Sequence, residues 1–201
     1  MTSVELEVGR LEGLLRADPA DTSAALDLAQ LSLLPLRDDE ETDRLALDVL
    51  AREPGHPRAV LLHSYVCMHY WLLDEKTAEA VAMLADVVGR GEELGAAALL
   101  LDEARRSLDP RLPVDVGLLR MSVSAEPTWC LNHRRLGRVL HAAGDIEGAR
   151  REYEAAIANA FDDDVQLDPV EASFHDCFTG RTMTAAYLVQ ERDKLFSAYR
   201  S

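Results

Sequence analysis

Arg134, Arg138 and His141 stand at i, i+4 and i+7, a spacing that puts three nitrogen-bearing side chains on one face of a helix. Two guanidinium groups side by side would grip a carboxylate, a phosphate or an acidic peptide end, because their planar N–H forks match paired oxygens. Farther upstream, Tyr65 and His69 share a helical face in the same way, and Trp71 follows two residues on. Tyr and Trp supply the kind of contact area concentrated at interface hot spots, although Trp71 equally suits a core between packed helices. Other groupings suggest different chemistry. His63 with Cys67, Cys130 with His133, and His175 with Cys177 each offer two atoms able to ligate a metal. None has the spacing of a recognised zinc motif. His175, Asp176 and Cys177 are adjacent, which invites a cysteine-nucleophile reading, but no nucleophile elbow or cysteine-protease signature surrounds them. That stretch reads as a turn into the last helix, with Gly180 permitting the bend. Asp162, Asp163 and Asp164 lack the spaced ligands and glycine of an EF-hand loop and read as a solvated linker. The sequence therefore assigns no catalytic residue, no metal ligand and no cofactor.

The elements that must position these residues can be read from the chain. Leu131 to Ala142 has one glycine and no proline and forms a helix. Gly144-Asp145 supplies a turn, since glycine tolerates positive φ and Asp caps a following helix. Ile146 to Ala158, rich in Ala, Arg and Glu, forms a second helix. Gly137 in mid-helix costs about 1 kcal/mol relative to alanine, so it needs a packing reason. Ala149 on the second helix offers one: two small residues let the backbones approach, with Leu136, Leu140, Tyr153, Ala156 and Ile157 filling the space around the crossing. Acid-proline pairs recur at Asp18-Pro19, Glu53-Pro54, Asp109-Pro110, Glu126-Pro127 and Asp168-Pro169. Each marks a helix boundary, because proline disfavours helical backbone in the residue before it. Alignment on Pro19 puts Leu28-Ala29 where Leu136-Gly137 sit. Alignment on Pro54 puts Ser64 at the small position and extends the first helix of that unit by about two residues. Between Gly91 and Pro127 the pattern is weakest, with helices over Glu92 to Leu108 and Val114 to Ser124.

The segment from Thr128 to Phe161 resembles a tetratricopeptide repeat. Leu136, Gly137, Leu140, Gly144, Ala149, Tyr153 and Ala156 fall where that family places its large and small residues. His133 stands where the family has a Trp, and Phe161 lies near its closing Pro. The resemblance implies an all-α solenoid of about four helical hairpins with capping helices at both ends. The units would span about 20–54, 55–90, 91–127 and 128–161, within an array over residues 1–161 that opens with a helix from Val4 to Arg16. Residues 162–201 would form an acidic linker and a capping helix from about Met183 to Tyr199, capped by Thr182 or Thr184. The first helix of each repeat lines the concave groove in this family, so Arg134, Arg138 and His141, with Tyr65, His69 and Trp71, are the expected partner-binding residues.

The composition agrees with such a scaffold. Strand signals are missing, hydrophobic residues make up 48% of the chain and aromatics 5%, which suits a helical repeat packed by aliphatic side chains. The net charge of −15 opposes non-specific nucleic-acid binding and favours attraction to a basic protein partner. No signal peptide is evident and the longest apolar run is too short to span a bilayer, so a cytoplasmic protein without membrane contact is expected. Three cysteines argue against a disulfide framework. Only Lys76 and Lys194 among the 21 basic residues are lysine, a bias that suggests a GC-rich, bacterial coding sequence. The expected function is a non-enzymatic protein- or peptide-binding scaffold that uses the groove and shields a basic partner, in the manner of a chaperone or immunity protein. The alternative is a small helical enzyme or metal-dependent sensor built on the His and Cys residues.

Overall fold

The computed structural model describes residues 2–161, 167–180 and 183–197. Asp162 to Asp164, Arg181, Thr182 and Tyr199 lie outside the described residues. Among those described there are eleven α-helices and no strand, arranged as four stacked hairpins between capping helices. The opening cap is α1 (Ser3–Ala17), which starts on a capping box formed by Thr2 and Glu5. Hairpin one is α2 (Thr22–Leu31) with α3 (Asp39–Arg52), and hairpin two is α4 (Pro57–Val66) with α5 (Asp74–Arg90). Hairpin three is α6 (Leu94–Leu108) with α7 (Val116–Ala125), and hairpin four is α8 (Cys130–Ala142) with α9 (Ile146–Ala158). Two helices follow, α10 (Pro169–Phe178) and α11 (Ala185–Phe196).

The acid-proline pairs act as their chemistry dictates. Asp18, Glu53, Asp109 and Glu126 each end a helix in an extended or near-extended backbone, the region imposed on a residue that precedes proline. Asp168 instead begins one. Its carboxylate accepts from the Val170 and Glu171 N–H groups and Pro169 opens the first turn, where the missing N–H costs nothing. The stretch read as a linker therefore contains a capped helix, α10, and the segment read as a turn before the last helix is the C-terminal part of it. The last helix starts later than the sequence suggests, at Ala185, with the Thr184 hydroxyl as its cap.

The first helix of hairpin two continues for five residues in a wider turn, Cys67–Trp71, whereas that of hairpin one is followed by the turn Ser32–Leu36, where Leu34 is extended and kinks the chain. Each turn closes on a residue in the left-handed region, Arg37 and Leu72. The extra turn of hairpin two is the lengthening that the Pro54 alignment requires.

Packing is between neighbours, as in any solenoid. One core lies under hairpins one and two around Leu31, Val49 and Leu62. A second joins hairpins two and three around Leu84, Leu101 and Leu118. A third joins three and four around Leu119, Leu136 and Tyr153, and Phe196 of α11 closes it. In hairpin four a Cβ placed on Gly137 would stand 3.0 Å from the Tyr153 ring and 3.3 Å from the Ala149 carbonyl oxygen. This is the close crossing that the glycine was expected to allow. Hairpin three puts its small residue elsewhere. A Cβ on Gly95, at the start of α6, would fall 2.4 Å from Glu126 Cγ, and the Gly95 carbonyl accepts the Ser122 hydroxyl at 2.6 Å.

Candidate functional site

The first helices α2, α4, α6 and α8 form one face of the array, and this face carries the expected binding residues. Arg134 and Arg138 come together on a single carboxylate. Arg134 grips Glu191 of α11 through both oxygens, at 2.6 and 2.9 Å, and donates to the Tyr187 hydroxyl at 3.2 Å. Arg138 approaches Glu191 at 3.8 Å, with its side chain 58% exposed. The paired guanidinium groups thus hold a carboxylate as their geometry suggests, and it is one supplied by the chain itself. His141, two turns from Arg134, lies under the end of the same helix. Its Nε2 is 3.1 Å from the Leu195 carbonyl and its ring meets Phe196 edge-on.

The Tyr65 and His69 rings meet at a tilt of 46°, with centroids 4.3 Å apart. They line a cavity of about 80 Å³ with Glu103, Arg135, Cys177 and Phe178. Arg134 and Arg138 line another of about 430 Å³ with Asp102, Glu103, Arg106 and Arg135. The two cavities share Glu103 and Arg135, which form an ion pair at 3.0 Å. Two pairs of residues from different helices thus meet across that salt bridge. Trp71 stands apart: its Nε1 donates to Asp39 at 3.2 Å and its ring packs on the first core. The His69 side chain is 33% exposed, and the burial of the remainder holds its pKa below the ordinary value. Burial likewise drives the Tyr65 phenol well above its usual range.

Glu103 and Arg106 were not singled out by sequence. They sit on α6, in the unit whose repeat pattern is weakest, and only stacking brings them beside α8. Their spacing of three residues places both on one face, which is the signal that α6 did offer.

The His and Cys residues separate into different roles. His63 and Cys67 meet, with Asp43 of α3 as a third member that the sequence did not reveal. Asp43 Oδ1 is 2.5 Å from His63 Nδ1, and Cys67 Sγ is 3.6 Å from His63 Nε2. All three are buried. Burial alone would lower the His63 pKa, but the hydrogen bonds to Asp43 and Cys67 outweigh it and raise the pKa to about 9. The donor atoms lie within 4.8 Å of one another. No further His, Cys, Asp or Glu joins these three among the described residues. With the imidazole bonded on both nitrogens, the trio fits a hydrogen-bonded core network. Cys130 and His133 diverge. The Cys130 thiol donates to the Thr179 and Gly180 carbonyls. His133 sits between Glu152 at 2.7 Å and the Pro127 carbonyl at 2.8 Å, which raises its pKa, chiefly through Glu152. The polar ring that replaces the family's Trp thus ties α9 to the turn before α8. His175 and Cys177 also point apart: His175 bonds the Thr179 hydroxyl, while Cys177 faces Gln30 and burial pushes its thiol up to about 12.

Helix α10 lies on the first-helix face. Ser173 and Gln30 of α2 bond twice: the Gln30 Nε2 donates to Ser173 Oγ at 3.0 Å, and the Ser173 hydroxyl donates to the Gln30 carbonyl at 2.7 Å. Phe178 packs edge-on against Tyr65 of α4 and Phe174 against Trp129. The Leu131 N–H of α8 donates to the Thr179 carbonyl at 3.1 Å. One short helix therefore touches the first helices of hairpins one, two and four.

Stacked hairpins with this inner face define a tetratricopeptide-like helical array. Two solved structures are similar to this chain. One, described as "MamA RS-1 ArsTM double mutant", is 19% identical, with a TM-score of 0.55 over 78% of this chain and 84% of that chain. The other, described as "Crystal structure of MamA protein", is 16% identical, with a TM-score of 0.48 over 90% of this chain and 96% of that one. At such identity the likeness concerns the fold. No family model and no curated protein matches the sequence.

Proposed function

We propose that this protein is a non-enzymatic scaffold that holds a protein or peptide segment on its first-helix face. The observation that carries the reading is the meeting of two cavities at Glu103–Arg135, flanked by Tyr65 and His69 on one side and Arg106, Arg134 and Arg138 on the other. Paired aromatic rings beside arginines suit a peptide that brings apolar contact and a carboxylate together. Arg138 is the anchor we assign to that carboxylate, since Arg134 is already committed to Glu191. His141 and Trp71 act at a distance, seating α11 and the first core. The acidic exterior draws a partner of net basic charge toward the face. Of the His and Cys residues behind the enzyme or sensor alternative, His63 and Cys67 are buried together with Asp43.

The test is affinity capture from the native host with the wild-type chain and with an Arg135→Ala/Arg138→Ala variant, followed by mass spectrometry. We expect a partner retained by the wild type to be lost, or weakened by about 10–100-fold, in the variant, as for loss of charge-assisted contacts of 1.5–3 kcal/mol. Equal capture by both chains would show that the face between α6 and α8 is not the binding surface.

A further inference from the structure

Three cavities border α10. One of about 360 Å³ separates it from α1 and the turn after α2. One of about 600 Å³ lies between it and Arg10, Asp27 and Arg58. The cavity of about 80 Å³ under its C-terminal end is the one lined by Tyr65 and His69. Phe178 anchors the C-terminal end of α10 in the second core, while the two larger cavities run along the rest of the helix. At the centre of its contact, Gln30 is fully buried. Its Nε2 is satisfied by Ser173, but its Oε1 has no hydrogen-bond partner among the described residues. A buried acceptor left unpaired costs about 1–3 kcal/mol, and a hydroxyl already committed to the Gln30 carbonyl cannot relieve it. A side-chain amide at the position of Ser173 would, by accepting from Nε2 and donating to Oε1.

We propose that α10 is a built-in occupant of a helix-binding groove. In its place the groove takes a helix of a partner protein that carries an amide opposite Gln30 and aromatic residues one and five positions later. Phe174 and Phe178 are the anchors such a helix would imitate, and Tyr65 and Trp129 are the surfaces that receive them. The inference rests on the first-helix face being the binding surface, but it concerns the α2–α4 half rather than the Arg138 half. Because α10 is tethered, it competes at an effective concentration of the order of mM, and the apparent affinity for an outside helix falls by the fraction of empty groove.

The probe is a fluorescent peptide with the sequence of residues 167–180 and Asn in place of Ser173. It is titrated into the full chain and into a full-chain Phe174→Ala/Phe178→Ala variant, whose own α10 is weakened. We expect binding to the variant at least tenfold tighter than to the wild type, and loss of binding when the peptide carries Phe178→Ala. Absence of binding to a variant of unchanged far-UV spectrum would overturn the proposal. Should the variant unfold, hydrogen exchange on the wild type decides. Opening of α10 with about 100-fold less protection than α4 and α6 supports the inference, and equal protection overturns it. A wild-type chain that dimerises as its concentration rises, by exchange of α10, would assign the groove to a second copy and overturn the foreign-helix reading. None of these readouts depends on Arg135 or Arg138, so the two ideas fail separately.

Discussion

His63 and His133 give the chain a pH dependence of definite sign. Both are held above the ordinary histidine pKa, His63 at about 9 through Asp43 and Cys67 against the opposing cost of burial, and His133 mainly through Glu152. A histidine whose folded pKa exceeds its unfolded value of about 6.5 stabilises the fold fully below that value and loses its contribution as pH rises through the folded pKa. For His63 the change amounts to about 3 kcal/mol between pH 6.5 and 9. His69, shifted the other way by burial, acts below that window. We expect urea midpoints to fall between pH 6.5 and 9, and the fall to shrink in an Asp43→Asn/His63→Gln variant, with His133 supplying the remainder. A midpoint that rises across this range would show that His63 is neutral in the fold. None of this was legible in the chain. His63 and Cys67 advertise themselves by spacing, but Asp43 is one of 36 acidic residues and only the stacking of α3 on α4 selects it.

At the scale of the element, hairpin four shows what sequence can state. Gly137, Ala149 and Tyr153 lie within 17 residues of one another, so their contact is a local matter and their types predict it. A Cβ on Gly137 would meet a fully buried ring and a backbone carbonyl, leaving no flexible neighbour to give way. We expect Gly137→Val to destabilise the protein by about 2–3 kcal/mol through overpacking, read as a lower urea midpoint with unchanged helix content before the transition. A midpoint at or above that of the wild type would mean that the Tyr153 ring can shift. Hairpin three was harder to read because its small residue, Gly95, sits at the head of the helix and works against Glu126 and Trp129 of the next turn. Helix α10 was missed for a different reason. Its signals were present, in Asp168-Pro169 with Glu171 and in the i, i+4 pairs Ser173–Cys177 and Phe174–Phe178. The site it docks on is remote and leaves no local trace.

The whole molecule is an acidic shell around a face that holds guanidinium groups. Arg106, Arg134, Arg135 and Arg138 converge on one cavity in a chain of net charge −15. The shell and the face therefore respond differently to salt. Attraction between the exterior and a basic partner is long-range and screened beyond about 8 Å at physiological ionic strength, whereas a carboxylate held at Arg138 is a contact interaction. For a partner identified by capture, we expect the association rate to fall by about tenfold or more between low and high salt, with a smaller change in dissociation rate. An association rate indifferent to salt would remove the acidic shell from the mechanism. The order of the hairpins and both caps were readable from repeated local patterns. The Glu103–Arg135 meeting point was not, since it is made by helices of different hairpins.

The Gln30–Ser173 contact joins residues 143 positions apart, while the hairpins are held by their immediate neighbours. That difference orders events in time. Closing so long a loop costs about 4 kcal/mol of chain entropy, against about 2 kcal/mol for a hairpin contact about 15 residues apart, and local contacts form fastest. The array therefore folds first and α10 docks afterwards. During synthesis, chains fold from the N-terminus at about 5–20 residues per second. The α2–α4 surface is thus complete on the ribosome before the segment that covers it has been made, so a newborn molecule meets the cell with its groove open.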